Sequence, residues 1–224
     1  MIWVWLTFIG GIVGLDATSF PQAMLSRPLV AGALAGLLFG RPLEGMLVGA
    51  VIEIFDLPNL PVGAARYPDS GTATVAGVGA LGMSALPELH PGGFLLAVVF
   101  SLLWEYVTGL STVFERHLNE RIVLPRHDPM RMTDRAVERV HLLSTALDFV
   151  RAALLTLTGA VIGALLLPRI VHDWHGGLML SSGSIAVAAA MMLAGAIGLF
   201  GGLKERRVLF FTGALCGSLL LLLT

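Results

Sequence analysis

Apolar residues run along this chain in blocks, and polar positions fall at the block ends or in short breaks inside them. The first block, 1–15, closes at Asp16 and carries Gly10 and Gly14, four apart on one helix face and suited to close packing against another helix. It has no basic leading region and no small-residue cleavage site, so it is expected to remain as a membrane segment and not to be removed as a signal peptide. The stretch that follows, with Asp16, Pro21 and Gln22, is too polar for lipid and reads as a turn or half-helix.

One phrase then occurs twice, as Arg27-Pro28-Leu29 and Arg41-Pro42-Leu43. Proline suits the first position of a helix, so each copy predicts a helix start, and Gly40 predicts the end of the first helix. Glycines at 32 and 36, and at 45 and 49, line one face of each. Helices of 13 to 16 residues are only roughly 20–24 Å long, short of the roughly 30 Å hydrocarbon core of a bilayer. Two such pieces back to back predict a broken or re-entrant hairpin, which a membrane tolerates only where protein or a cavity surrounds it.

Farther on, Pro58 and Pro61 interrupt any continuous helix, and 62–86 breaks again at Pro68-Asp69. Residues 92–114 are long enough to cross a membrane and hold one acid, Glu105. The region 115–141 is the one extended polar stretch, with six arginines against five acids and prolines at 125 and 129. Short arginine-rich loops stay in the cytoplasm, so this one is expected there, as a solvated amphipathic hairpin or a docking surface for soluble partners. A span over 142–168, a loop over 169–177, a returning span over 178–202, a basic loop at 204–207 and a last span over 208–224 complete the expected path.

Composition agrees with this pattern. The 224 residues are 56% hydrophobic and 13% charged, where soluble domains carry about a quarter charged residues. The mean hydropathy of +0.85 completes the picture of an all-α integral membrane protein, a helical bundle with broken, re-entrant hairpins. A net charge of −1 offers nothing to nucleic acid, and the single cysteine, Cys216, excludes a disulfide framework or a thiolate metal site.

The candidate chemistry is sparse. Gly45, Gly49 and Glu53 share one helix face, so the glycine packing that brings in a neighbour also turns Glu53 toward protein or a cavity. An ionisable group at membrane depth points to function; a hydrogen bond to a backbone amide or a pairing with Arg27 is the plainer alternative. Asp69 follows Pro68 in an irregular segment whose free backbone groups suit a neutral polyhydroxylated ligand, although Arg66 beside it would also neutralise it at a turn. Gln22 offers a donor and an acceptor. Asp16 and Asp56 end their segments and are expected to be solvated, and Asp148 and Arg151, three apart on a helix, to pair with each other. His172 and His175 lack a third ligand and read as an outward loop, not a metal site. Ser181-Ser182-Gly183-Ser184 reads as a helix entry, and phosphate-loop and dinucleotide motifs are absent.

Several stretches taken together resemble the mannose/sorbose-type IIC membrane subunits of the bacterial sugar phosphotransferase system. They are Leu15-Asp16, Ser26 through Gly32, Gly36 through Gly40, Gly49 through Glu53, and Leu60 through Ala65 with Pro68-Asp69. The likeness extends more loosely to Asp134-Arg135 and the helix leading to Arg151. It implies one IIC-type membrane domain over 1–224: a broken-helix substrate region to 91, a span over 92–114, the arginine-rich segment over 115–141, and the remaining spans. It also implies a multi-pass permease subunit in the bacterial inner membrane, working in a homo- or hetero-oligomer with a IID membrane partner and soluble IIA and IIB phosphocarriers. No cofactor, metal or catalytic residue is then expected here, because the phosphorylated residues lie on IIA and IIB. Gln22, Glu53 and Asp69 would face the sugar. Arg27, Pro28, Pro61, Gly63 and Arg66 would hold or gate the site. Arg66-Tyr67 departs from the small or proline residues usual in that family, which leaves open a non-transporting scaffold or regulatory subunit derived from such a permease. An ion-coupled secondary transporter using Glu53 is the other alternative.

Overall fold

The structure, a computed structural model, describes residues 1–57, 68–123, 133–173 and 193. Among them the chain is all helical: α1 (Ile2–Thr18), α2 (Pro28–Leu38), α3 (Pro42–Asp56), α4 (Ser70–Met83), α5 (Pro91–Val123) and α6 (Asp134–Asp173). The expected Pro61, Gly63 and Arg66 lie outside the described residues, as do the spans and loop expected after 177 apart from residue 193.

The repeated Arg-Pro phrase acts as expected. Pro28 and Pro42 open α2 and α3, with Arg27 and Arg41 as the flanking caps, and the helices run for 11 and 15 residues. Gly40 takes φ +70°, the left-handed conformation that lets the chain reverse between them. The two helices then pack backbone to backbone. A Cβ on Gly32 would meet the Gly45 carbonyl, one on Gly45 would meet that of Gly32, and one on Gly49 would meet that of Pro28. Small residues let main chains approach this closely, and inside a bilayer that contact must supply the attraction that water would otherwise drive.

Helix α4 is the centre of the bundle. It has 14 residues, and Gly71 through Leu81 are all buried, enclosed by α1, α2, α5 and α6. A helix apolar all round is one with no solvent face. Helix α1 crosses α6 where Gly10 meets Thr156 and Gly14 meets Ala152, as its glycine spacing predicts. On the far side Trp104 of α5 lies over Gly159 of α6, donates its indole N–H to the Leu155 carbonyl (3.1 Å), and stacks on Phe100 at 5.7 Å.

Helices α5 and α6 are 33 and 40 residues long, and both are long and apolar enough to cross a membrane. They run farther than expected. The segment over 115–123 continues α5 and that over 134–141 begins α6, so most of the charged region extends the two long helices. Helix α6 also passes through Pro168 to Asp173, which places His172 on a helix and not in the expected loop.

The end of the bundle where α2 and α3 meet is pinned to the α4–α5 connection. Arg41 donates from both terminal nitrogens to the Leu86 carbonyl (3.1 Å each), and the buried Glu44 accepts the Leu89 N–H at 3.0 Å. Arg41 and Glu44 stand 3.6 Å apart.

Candidate functional site

At the opposite end, the N-termini of α2 and α4 meet the C-terminal ends of α1 and α3. The first turn of any helix leaves N–H groups without a partner inside the helix, and a carboxylate satisfies them with the help of the helix dipole. Both carboxylates singled out in the sequence do this. Glu53, near the end of α3, accepts the Leu29 N–H of α2 at 3.0 Å. Asp69 caps α4 by accepting the Thr72 N–H at 3.3 Å. The two lie on either side of the chain at 26–29: Gly49 packs on the Pro28 carbonyl on the Glu53 side, and Gly71 packs on the Ser26 carbonyl on the Asp69 side.

The two differ in exposure. Glu53 is half-buried and stands 3.8 Å from Arg27, which is exposed, so both alternatives to a binding role, the amide bond and the pairing, are present. Asp69 is 5% exposed and pairs with Arg151 of α6, at 3.3 Å. Pro28 is buried at the first position of α2. Gln22 is exposed in the α1–α2 connection, at φ +57°. That connection is fastened from below by Asp16, which accepts the N–H groups of Ala23 (2.5 Å) and Ser26 (2.8 Å). Asp16 is therefore buried, at 3% exposure, and not solvated as expected, because backbone donors replace the water it would have needed.

Arg151 forms a network that the sequence did not indicate beyond its pairing with Asp148. Its guanidinium reaches Asp148 (2.8 Å), Glu115 of α5 (2.9 Å), Asp69 (3.3 Å) and the Ser111 hydroxyl (3.0 Å), while only 10% of the side chain is exposed. Asp148 in turn accepts hydroxyl hydrogen bonds from Thr18 and Ser19, at the end of α1. Thr108 of α5 donates to the Asp69 carbonyl at 3.0 Å. Glu105, buried one turn earlier on α5, has one carboxylate oxygen without a hydrogen-bond partner and lies beside Asp56, which ends α3 half-buried. The result is a polar layer drawn from all six helices, with more carboxylates than cations among the described residues. Such a layer suits a neutral ligand rich in hydroxyl donors better than an anion. Among the described residues no group of three or more histidine, cysteine or acidic side chains is placed to hold a metal.

Comparison with known proteins places the chain in a family. A family model described as the sorbose-specific IIC component of the phosphotransferase system matches residues 1–200. The sorbose-specific EIIC component of Klebsiella pneumoniae is 25% identical over 203 residues, covering 87% of this chain and 71% of that protein. The corresponding component of Lacticaseibacillus casei is 32% identical over 74 residues, 33% of this chain, and the chain spans only 25% of its length. A solved structure described as a membrane protein superposes with a TM-score of 0.72 at 15% identity, over 97% of this chain and 86% of that one. That likeness supports the fold alone.

Proposed function

The chain belongs to the sorbose-specific IIC component family of the phosphotransferase system, and from that premise we propose that it is a membrane-embedded sugar permease subunit whose site lies in the polar layer between Glu53 and Asp69. The observation that carries the reading is the placement of those two carboxylates. Each holds the N-terminus of a short helix, α4 fully enclosed and α2 only partly, and the two flank the same turn at 26–29. Carboxylate acceptors with helix N-terminal donors nearby match a sugar, whose hydroxyls both give and accept hydrogen bonds.

On this reading the subunit carries a hexose-type sugar across the inner membrane as one of several spans, and the phosphoryl group comes from a soluble IIB partner, itself charged by IIA. A IID membrane subunit completes the permease. The chain supplies no catalyst, since its family members are transporter components. The excess of carboxylates would favour the neutral sugar over its phosphate, which suits a path that takes in one and lets go of the other.

The test is the form in which the sugar arrives. In cells expressing the chain with its phosphotransferase partners, labelled sorbose or fructose should accumulate as the phosphate, and an uncoupler should not stop it. Accumulation as free sugar that collapses with an uncoupler would support ion-coupled transport. No uptake of either sugar would leave a scaffold role.

A further inference from the structure

We propose that Arg151 is a positioning residue of this sugar site: it fixes the orientation of the Asp69 carboxylate, and with it the N-terminus of α4, toward the sugar. The inference rests on the reading of Asp69 as a sugar ligand and adds to it a residue from the second half of the chain. Of the three carboxylates around the guanidinium, two are on the long helices, Glu115 on α5 and Asp148 on α6. Both are held by other groups as well, Glu115 by Asn119 and Asp148 by Thr18 and Ser19. Those contacts fix Arg151. The third carboxylate, Asp69, precedes α4 and meets Arg151 through one nitrogen, at Oδ2, leaving Oδ1 to cap Thr72.

The geometry of the contact requires a fork. Arg151 gives Nε and its second terminal nitrogen to Asp148 and its first terminal nitrogen to Asp69 and Ser111, while the Glu115 carboxylate sits in ion-pair contact beside Nε. A planar guanidinium presents donors in those directions at once, whereas an ammonium is a point charge on a flexible stem. Lysine would therefore keep the charge that the buried acids need but would not reach all of them. Asp69 is the partner with the longest ion-pair distance, 3.3 Å against 2.8 and 2.9 Å, and is the one a shorter-reaching cation would release.

The experiment is concentration-dependent uptake of labelled sorbose and fructose by the full chain with its partner components. It compares wild type, Arg151→Lys, Asp69→Asn and the double variant at matched membrane levels. Arg151→Lys is used because removing the cation outright leaves two buried acids and a partly buried one without it and threatens folding. The expected result is a KM raised roughly tenfold or more by Arg151→Lys, the scale of losing a supporting contact to a bound group, with the maximal rate nearly unchanged. In the Asp69→Asn background the same change should have no further effect, because the group it acts through is gone. An unchanged KM in Arg151→Lys, or a rise that persists undiminished in the Asp69→Asn background, overturns the inference and leaves Asp69 as a ligand. An Asp69→Asn variant with wild-type KM overturns the reading beneath it as well.

Discussion

Arg151 and Asp69 lie 82 positions apart in the chain and meet at 3.3 Å in the bundle interior, tying the cap of the central helix α4 to α6. Removing either partner should be costly, but not equally. Arg151→Ala leaves the buried Asp69 and Asp148, and the partly buried Glu115, without their cation, and breaking a buried pair in this way costs about 3–5 kcal/mol. Asp69→Ala leaves Arg151 two carboxylates and removes one helix cap, a loss of about 0.5–2 kcal/mol for the cap itself. Thermal unfolding in detergent should rank Arg151→Ala as the less stable variant; the opposite order would mean that the network does not depend on Arg151.

The α2–α3 hairpin makes a sharper distinction between two kinds of glycine. Gly40 needs its left-handed φ of +70° but has open space where a Cβ would go. Gly40→Ala should therefore cost only the backbone preference, about 1–2 kcal/mol. Gly49→Ala pushes a methyl group into the Pro28 carbonyl, against main chain that cannot yield without separating the helices. Its cost should exceed that of Gly40→Ala and should disturb Glu53, one turn along, whereas Gly40→Ala should leave sugar affinity untouched. Unfolding measurements paired with uptake kinetics check both parts.

At the other end of the bundle Glu44 is 2% exposed and accepts the N–H of Leu89, a non-glycine residue at φ +54°. Glu44→Gln keeps an acceptor oxygen for that N–H, while Glu44→Ala removes it and leaves Arg41 without its neighbouring acid. The alanine variant should lose about 1–3 kcal/mol, the cost of stranding buried polar groups, and glutamine clearly less. Equal losses would show that the charge, not the hydrogen bond to Leu89, secures the connection.

Asp16 offers a local readout. Its carboxylate fastens the exposed connection around Gln22 through the amides of Ala23 and Ser26. Asp16→Ala should free that connection and speed its cleavage by added protease near Met24, whereas Asp16→Asn keeps one acceptor oxygen and should protect partly. Equal cleavage in wild type and Asp16→Ala would contradict the fastening role.

What the sequence made legible follows from how local each signal was. The hairpin could be read because proline at a helix start, glycine at a reversal and a four-residue glycine spacing act within a few positions. The same spacing pointed Glu53 at its neighbour, and its partners Leu29 and Arg27 lie on the adjoining helix. Asp16 was misread because its partners are backbone amides, which leave no trace in residue type. Glu44 sits in the first turn of α3, where an acid is expected on dipole grounds alone; the donor that satisfies it when buried is the N–H of Leu89, 45 positions away. The pairing of Asp148 with Arg151 was visible at a spacing of three, but the reach to Asp69 and Glu115 depends on how α4 and α5 pack against α6, and no local pattern encodes that. That the flanks of the charged stretch continue α5 and α6 could not be read, because helix continuity through 115–123 and from 134 competes poorly, by composition, with its charge density.

The most direct test of the central claim is the KM for labelled sorbose and fructose uptake in Glu53→Gln, measured beside its thermal stability. The glutamine keeps an acceptor for the Leu29 N–H, and the pairing with exposed Arg27 is of a kind worth only about 0–1 kcal/mol, so the fold should hold. A sugar-binding Glu53 predicts a large rise in KM with stability near wild type. A wild-type KM, or a loss of uptake that only follows a loss of folded protein, would contradict the assignment of the site to this end of the α2–α3 hairpin.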